Sequence, residues 1–385
     1  MIPYGRQLIS DDDVRAVVEV LRSNFLTQGE QVPLFEQALA RYCGAAHAVA
    51  VNSATSALHI ACLALGVGPG DRVWTSPNTF VASANCARYC GATVDFVDID
   101  AATLNLSVAA LADKLAAAHK AGTLPKVVIP VHFSGLPCDL EGIAALARRY
   151  GFHVIEDASH AVGARFGDST IGDCRYSDIT VFSFHPVKII TTAEGGLATT
   201  QSAELAQRMQ LLRSHGITRA TAQMQRPDEG AWYYEQHCLG FNYRMTELQA
   251  ALGLSQLTRL DEWIDRRHAL ADVYDAKLAR LPLILPVRPA GSRSALHLYV
   301  VQVDGARGGL PRRTVFDRLR AAGIGVNVHY IPVNLQPDYA SLGFGPGQFP
   351  AAETYYSRCV SLPMFAGLSD ADQQIVIGEL EKALA

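Results

Sequence analysis

The sequence predicts an α/β protein in two parts: a large domain built on a mostly parallel sheet, and a smaller C-terminal α+β domain. Three observations carry this expectation. Short β-rich runs alternate with helical patterns through the first two-thirds of the chain, as crossover units do. Runs such as KVVIPVHF are almost continuously apolar, as strands are when helices cover both faces of their sheet. After about residue 250 the alternation gives way to one long amphipathic stretch and a mixture of short elements.

In chain order, the first thirty residues are too few for a domain and are expected to pack as an N-terminal arm. Strands are expected at Ala48–Val51, Arg72–Thr75, Thr93–Val97, Val127–His132, His153–Glu156 and Ile179–Phe184. Helices are expected over Thr55–Leu65, Val108–Lys120 and Leu140–Tyr150. The large domain then spans 1–250, arm included, and the small domain 251–385. LSQLTRLDEWIDRRHALADVYDAKLARL reads as one helix leaving the large domain. LHLYVVQV and IGVNVHYI read as strands, RRTVFDRLRAAG as a helix, and a last helix starts near Ser369.

With 385 residues, 49% hydrophobic and 18% charged, the chain is long enough for two cores. A formal charge of −4 supplies no basic field for nucleic acid and no polybasic membrane segment. Every apolar run is broken by Gly, Pro or a charge well short of a bilayer's thickness. The N-terminus, MIPYGR, lacks the pattern of a secretory leader, so a cytoplasmic location is expected. The eight cysteines form no Cys-x-x-Cys and are expected to be reduced and mostly buried; no metal site is expected.

The chemistry concentrates in FSFHPVKIITTAEGG, where Lys188 sits among apolar and hydroxyl residues. It is either an exposed lysine on the loop after a strand or an amine placed to act as a nucleophile, most commonly through a Schiff base. FHVIEDASHA puts Asp157 at the carboxyl end of a strand, where open α/β sheets place their ligands. A carboxylate there could hold a metal, orient a histidine or pair with a protonated ring nitrogen. VAVNSATSALHIA runs from a strand through a turn of small residues into a helix, whose free N–H groups can hold an anion or simply carry a Ser/Thr cap. A lysine, a carboxylate and an anion cradle are together what pyridoxal phosphate (PLP) requires. GVGPG follows a helix and precedes a strand, the reverse of a dinucleotide loop, and reads as a helix stop. His132, His185 and His329 lie near strand ends and are candidates for lining the cleft.

Five blocks in order, NSATSALHIA, PNTFVASANCARYCGATVDFVDID, EDASHAVGA, FSFHPVKIITTAEGG and LGFNYRMTELQAALG, resemble the DegT/StrS-type aminotransferases, which act on nucleotide-linked keto sugars with PLP. The resemblance spans the chain and implies the type I aspartate-aminotransferase fold and a homodimer with a shared active site. FHPVKIITTAEGG, SNFLTQG and VNVHYIPVNLQP look most like the branch that makes UDP-4-amino-4,6-dideoxy-N-acetyl-β-L-altrosamine, towards pseudaminic acid. L-glutamate would be the amino donor.

The resemblance also implies residue roles. Lys188 would form the Schiff base, Asp157 would pair with the pyridine nitrogen and Phe80 would stack on the ring. Ala54, Thr55 and Ser183 would hold the phosphate, joined by Asn242 from the partner subunit. His160 stands where many members have glutamine and would bond the cofactor's phenolic oxygen. Tyr4, Arg213, His329 and Tyr330 are candidates for the substrate cleft. Other readings are another aminotransferase acting at C3 or on a dTDP sugar, a PLP sugar dehydratase, or a sensor without activity. Close dehydratase relatives have histidine in place of the lysine, and a sensor should have lost the cofactor positions; Lys188 argues against the first and the intact set against the second.

Overall fold

A computed structural model describes all 385 residues. Seven strands form the main sheet: β1 (His47–Val51), β2 (Arg72–Thr75), β3 (Thr93–Phe96), β4 (Val127–Ile129), β5 (His153–Asp157), β6 (Ile179–Ser183) and β7 (Gly196–Thr200). Their spatial order is β1-β7-β6-β5-β4-β2-β3. Neighbours from β6 through β3 pair in parallel, whereas β7 is antiparallel to both β6 and β1. The first six strands match the sequence expectation to within a few residues. The seventh was not expected, because GLATT carries no alternation and becomes a strand only through its two neighbours.

The apolar character of the strands follows from burial on both faces. Consecutive residues enter different cores: Val73, Val127 and Ile155 join one cluster, Trp74, Val128 and Val154 the other. Helices α1 (Asp11–Leu21) and α2 (Gln31–Cys43) precede the sheet, and α3 (Ala54–Ala64), α4 (Ala82–Tyr89), α5 (Val108–Ala121) and α6 (Leu140–Tyr150) link its strands. The arm is fastened by Asp13, which is fully buried. Its carboxylate accepts from Arg259 at 2.7 Å, Gln256 at 2.7 Å and Ser255 at 2.5 Å.

The amphipathic stretch after residue 250 is two helices rather than one, Glu247–Leu257 and Leu260–Leu278. The helical geometry lapses at Arg259 (φ −112°, ψ 7°), whose side chain turns to Asp13. Beyond it, Tyr299–Val303 is the centre of a three-stranded antiparallel sheet, flanked by Leu283–Ile284 and Cys359–Leu362. A third core is drawn entirely from residues 270 onwards. IGVNVHYI is not a strand. Only isolated bridges form, Ile324 to Ile2 and Asn327 to Ser361, because the segment then leaves the sheet edge and carries His329 and Tyr330 into the cleft. Seven of the eight cysteines are buried and Cys238 is exposed. No helix is long and apolar enough to cross a membrane.

Candidate active site

The carboxyl ends of β1, β4, β5 and β6 open into one cavity of about 430 Å³. Asp157 is the last residue of β5, and strand alternation separates it from its neighbour Glu156. Glu156 points to the opposite face, where it is buried against His132 Nε2 (2.7 Å), Ser177 Oγ (2.5 Å) and Thr180 Oγ1 (3.1 Å). His132 is therefore spent on Glu156 and does not line the cavity, whereas His185 and His329 do.

Asp157 is 5% exposed and each carboxylate oxygen has one protein donor: Ser83 Oγ to Oδ2 at 2.6 Å, and the Ser159 N–H to Oδ1 at 3.0 Å. Each oxygen keeps lone-pair capacity for a donor in the cavity. Ser83 is in turn bonded to Thr79 Oγ1 at 2.7 Å. The sequence reading missed Ser83; it lies three residues after Phe80, on the first turn of α4, and only the tertiary fold, which brings it to Asp157, reveals it.

Lys188 is half-buried, lines the cavity and makes no hydrogen bond or ion pair through Nζ. Burial lowers its pKa from 10.5 to about 8, an effect partly offset by the charge of Asp157. The loop that carries it is tied down by the residues flanking it. Thr191 Oγ1 donates to the Phe184 carbonyl (2.9 Å) and Thr192 Oγ1 to the Glu194 carbonyl (2.7 Å), which makes both threonines structural.

The N-terminus of α3 faces the same cavity. Ser53 caps it by accepting from the Ser56 N–H at 3.1 Å, and the N–H groups of Ala54 and Thr55 have no partner. The hydroxyls of Thr55 and Ser183 line the cavity and are also unpaired. Gly196 permits this arrangement: a Cβ there would lie 2.4 Å from the Ala54 nitrogen, so only glycine lets β7 start against the helix end. Free N–H groups, free hydroxyls and the positive end of a helix form an anion cradle. The methyl group of Ala54 leaves the cradle intact, because its N–H is still presented to the cavity.

His160 is buried and neutral, its pKa well below the usual value because burial and the Lys188 charge oppose protonation. Its Nδ1 accepts the Ser134 N–H at 3.2 Å, so Nε2 carries the proton and donates to Tyr330 Oη at 3.0 Å. The Tyr330 hydroxyl proton is thereby left for the cavity, and burial raises that phenol's pKa, keeping it a donor. His329, bonded to Ser361 Oγ at 2.7 Å, has a pKa lowered to about 4 by burial and by the Lys188 charge. Phe80, 59% exposed, and Tyr4 complete the walls. His297 also lines the cavity, and sequence reasoning passed over it because HLY sits inside an apolar run.

Two expected residues are elsewhere. Arg213 does not line the cleft: its guanidinium is held by Glu36 and by the Ala50 carbonyl, beneath the start of the sheet. An arginine at the end of a helix looks the same in sequence whether it faces a ligand or a buried glutamate. Asn242 is exposed, outside its own chain's cavity, with its backbone anchored beside Asn52 and Ser214.

The residues present fit PLP: an unpaired amine, a carboxylate with oriented lone pairs, an exposed aromatic face and an anion cradle border one space. The family model of the DegT/DnrJ/EryC1/StrS aminotransferases matches residues 7–381. The spore coat polysaccharide biosynthesis protein SpsC of Bacillus subtilis is 42% identical over 379 residues, covering 98% of this chain and 95% of that protein. Among solved structures, Helicobacter pylori PseC, an aminotransferase involved in the biosynthesis of pseudoaminic acid, is 31% identical. It superposes with a TM-score of 0.90 over 100% of this chain and 99% of its own. Spr1654 of Streptococcus pneumoniae in its PLP form is 30% identical, with a TM-score of 0.88 and full coverage of both chains. The chain belongs to the DegT/DnrJ/EryC1/StrS aminotransferase family, has the type I aminotransferase fold and is a PLP-dependent aminotransferase.

Proposed function

We propose that this enzyme transfers the amino group of L-glutamate to C4 of a UDP-linked 4-keto-6-deoxy-N-acetylhexosamine, giving UDP-4-amino-4,6-dideoxy-N-acetyl-β-L-altrosamine. The observation that carries the aminotransferase chemistry is the unpaired Lys188 amine sharing one cavity with Asp157 and the free end of α3. The sugar class is supported by the likeness to PseC and to SpsC, a polysaccharide biosynthesis protein. SpsC's higher identity favours a broader second reading, amination of another nucleotide sugar destined for a surface polysaccharide, a dTDP sugar included.

Bound PLP supplies an aldehyde that takes up the amino group and a ring that delocalises the electrons of the broken Cα–H bond. Around it, each residue has a physical task. Lys188 Nζ, neutral above about pH 8, holds the cofactor until the donor arrives, then takes the donor's α-proton and returns it. Asp157, oriented by Ser83 and Ser159, would pair with the protonated ring nitrogen. Ala54, Thr55 and Ser183 would bind the phosphate and Phe80 would stack on the ring. His160, with both ring nitrogens already bonded to Ser134 and Tyr330, orients the Tyr330 hydroxyl rather than bonding the phenolic oxygen. Tyr4, His329 and Tyr330 border the substrate.

A second copy of the chain completes the site. Phe25, Leu26, Trp232 and Leu239 are exposed apolar residues, and Asn242, three residues after Leu239 and also exposed, would reach the phosphate of the facing subunit.

The test is a two-stage visible spectrum of the holoenzyme. L-glutamate should bleach the cofactor band, and only the UDP-4-keto-6-deoxy-N-acetyl sugar should restore it. Restoration by a dTDP sugar alone would move the assignment to the second reading.

A further inference from the structure

Arg267 is buried to 2% exposure with no carboxylate beside it. Its guanidinium spends its bonds on three backbone carbonyls, those of Leu296 (3.1 Å), His297 (3.2 Å) and Met364 (3.0 Å), and its Nε has no partner. Such a charge is expensive to bury and is kept only where something must be held. What it holds is irregular: Leu296 has φ +49°, a left-handed conformation that a leucine rarely adopts. Leu296 and its neighbours are braced from the other side by the loop that also sets the tautomer of His160. Ala295 N–H donates to the Gly135 carbonyl at 3.0 Å and Ser134 Oγ to the Leu298 carbonyl at 2.6 Å.

The residue so fixed is His297. Its ring lies 4.4 Å from that of His160, centroid to centroid, and lines the cavity beside Lys188. The residue is 4% exposed, Nδ1 is fully buried without a partner, and Nε2 bonds to nothing in the protein. A buried imidazole with neither nitrogen satisfied is a donor and acceptor in want of a ligand. The cavity also contains no arginine, although an amino acid donor brings a carboxylate into it next to the reacting carbon.

We propose that His297 binds the amino donor, giving a ring N–H to the carboxylate that enters beside Lys188, with Arg267 and the Ser134–Gly135 loop as its mount. The assignment rests on the reading of L-glutamate as donor. An incoming carboxylate supplies the acceptor that the protein withholds, whereas the keto sugar, which has no carboxylate, makes no such demand on His297.

Holoenzyme variants His297→Phe and His297→Gln test it, the glutamine retaining a donor. Three quantities are measured beside wild type: the dissociation constant for glutarate, read from its perturbation of the cofactor band; the half-reaction with L-glutamate; and the return half-reaction with the keto sugar. His297→Phe should weaken glutarate and L-glutamate by about tenfold or more, change the sugar half-reaction less than ~3-fold, and be largely rescued in His297→Gln. Unchanged glutarate binding in a folded His297→Phe overturns the proposal, as do equal losses in both half-reactions with glutamine no better than phenylalanine. If wild type itself is not bleached by L-glutamate, the donor assignment falls and the role of His297 falls with it.

Discussion

Ser83 Oγ donates a 2.6 Å hydrogen bond to Asp157 Oδ2 in a buried setting, and Thr79 stands behind Ser83 at 2.7 Å. This chain ties the first turn of α4 to the end of β5. It fixes the orientation of a buried carboxylate that borders the cavity and keeps lone pairs for a donor there.

Ser83→Ala should therefore loosen the cofactor without unfolding the protein. A hydrogen bond to a charged group contributes about 1.5–3 kcal/mol, so PLP affinity should fall roughly 10- to 100-fold. Titration of the apoenzyme with PLP reads the affinity, and thermal melting of the apoenzyme checks the fold. Unchanged affinity would mean that the Ser159 N–H alone suffices to hold Asp157.

The capture of PLP should be governed by Lys188. Its pKa is lowered from 10.5 to about 8, so the ammonium form, which is not nucleophilic, prevails below that pH and the free amine above it. Mixing apoenzyme with PLP across pH 6–10 should give a rate that rises through about pH 8 and then levels. A rise continuing towards pH 10 would indicate an ordinary lysine. Lys188→Ala should still bind the cofactor but release it on simple dialysis.

Gly196→Ala brings a Cβ to 2.4 Å from the Ala54 nitrogen and must displace the end of α3. The loss should be specific to the phosphate. PLP should bind more weakly by about tenfold or more, while pyridoxal, which lacks the phosphate, should bind as it does to wild type.

Arg213→Ala should behave as a stability mutation. Its ion pair with Glu36 is largely buried, with side chains 17% and 12% exposed, and loss of the arginine leaves the glutamate without its counter-charge, held only by the Ala50 N–H. Urea unfolding should show a loss of about 3 kcal/mol, with no change in the apparent affinity for L-glutamate in the surviving holoenzyme. A selective rise in the glutamate requirement would return Arg213 to the substrate cleft.

The sequence was most legible where local chemistry and position agree. EDASHA shows Asp157 at a strand end, ITVFSFHPVK brings Ser183 and Lys188 to the same edge, and NSATSA is a capped helix start; each is recognisable from a few neighbouring residues. β7 was not legible, because its strand character comes from β1 and β6 on either side. The break at Arg259 was hidden because a surface-like arginine gives no sign that Asp13, 246 residues away, will bend it out of the helix. Ser83 was hidden in a small-residue helix, and His297 in an apolar run.

The order of strands and turns by itself determined which residues reach the carboxyl edge of the sheet, since strand periodicity and crossover handedness leave few alternatives. Tertiary structure decided what each does there. Whether a buried polar side chain is already satisfied depends on partners distant in the chain: Glu36 occupies Arg213 and Glu156 occupies His132, whereas nothing occupies Lys188 or His297. Local sequence cannot carry that distinction, because hydrogen bonds form between atoms that packing, not chain order, brings within 3 Å of one another.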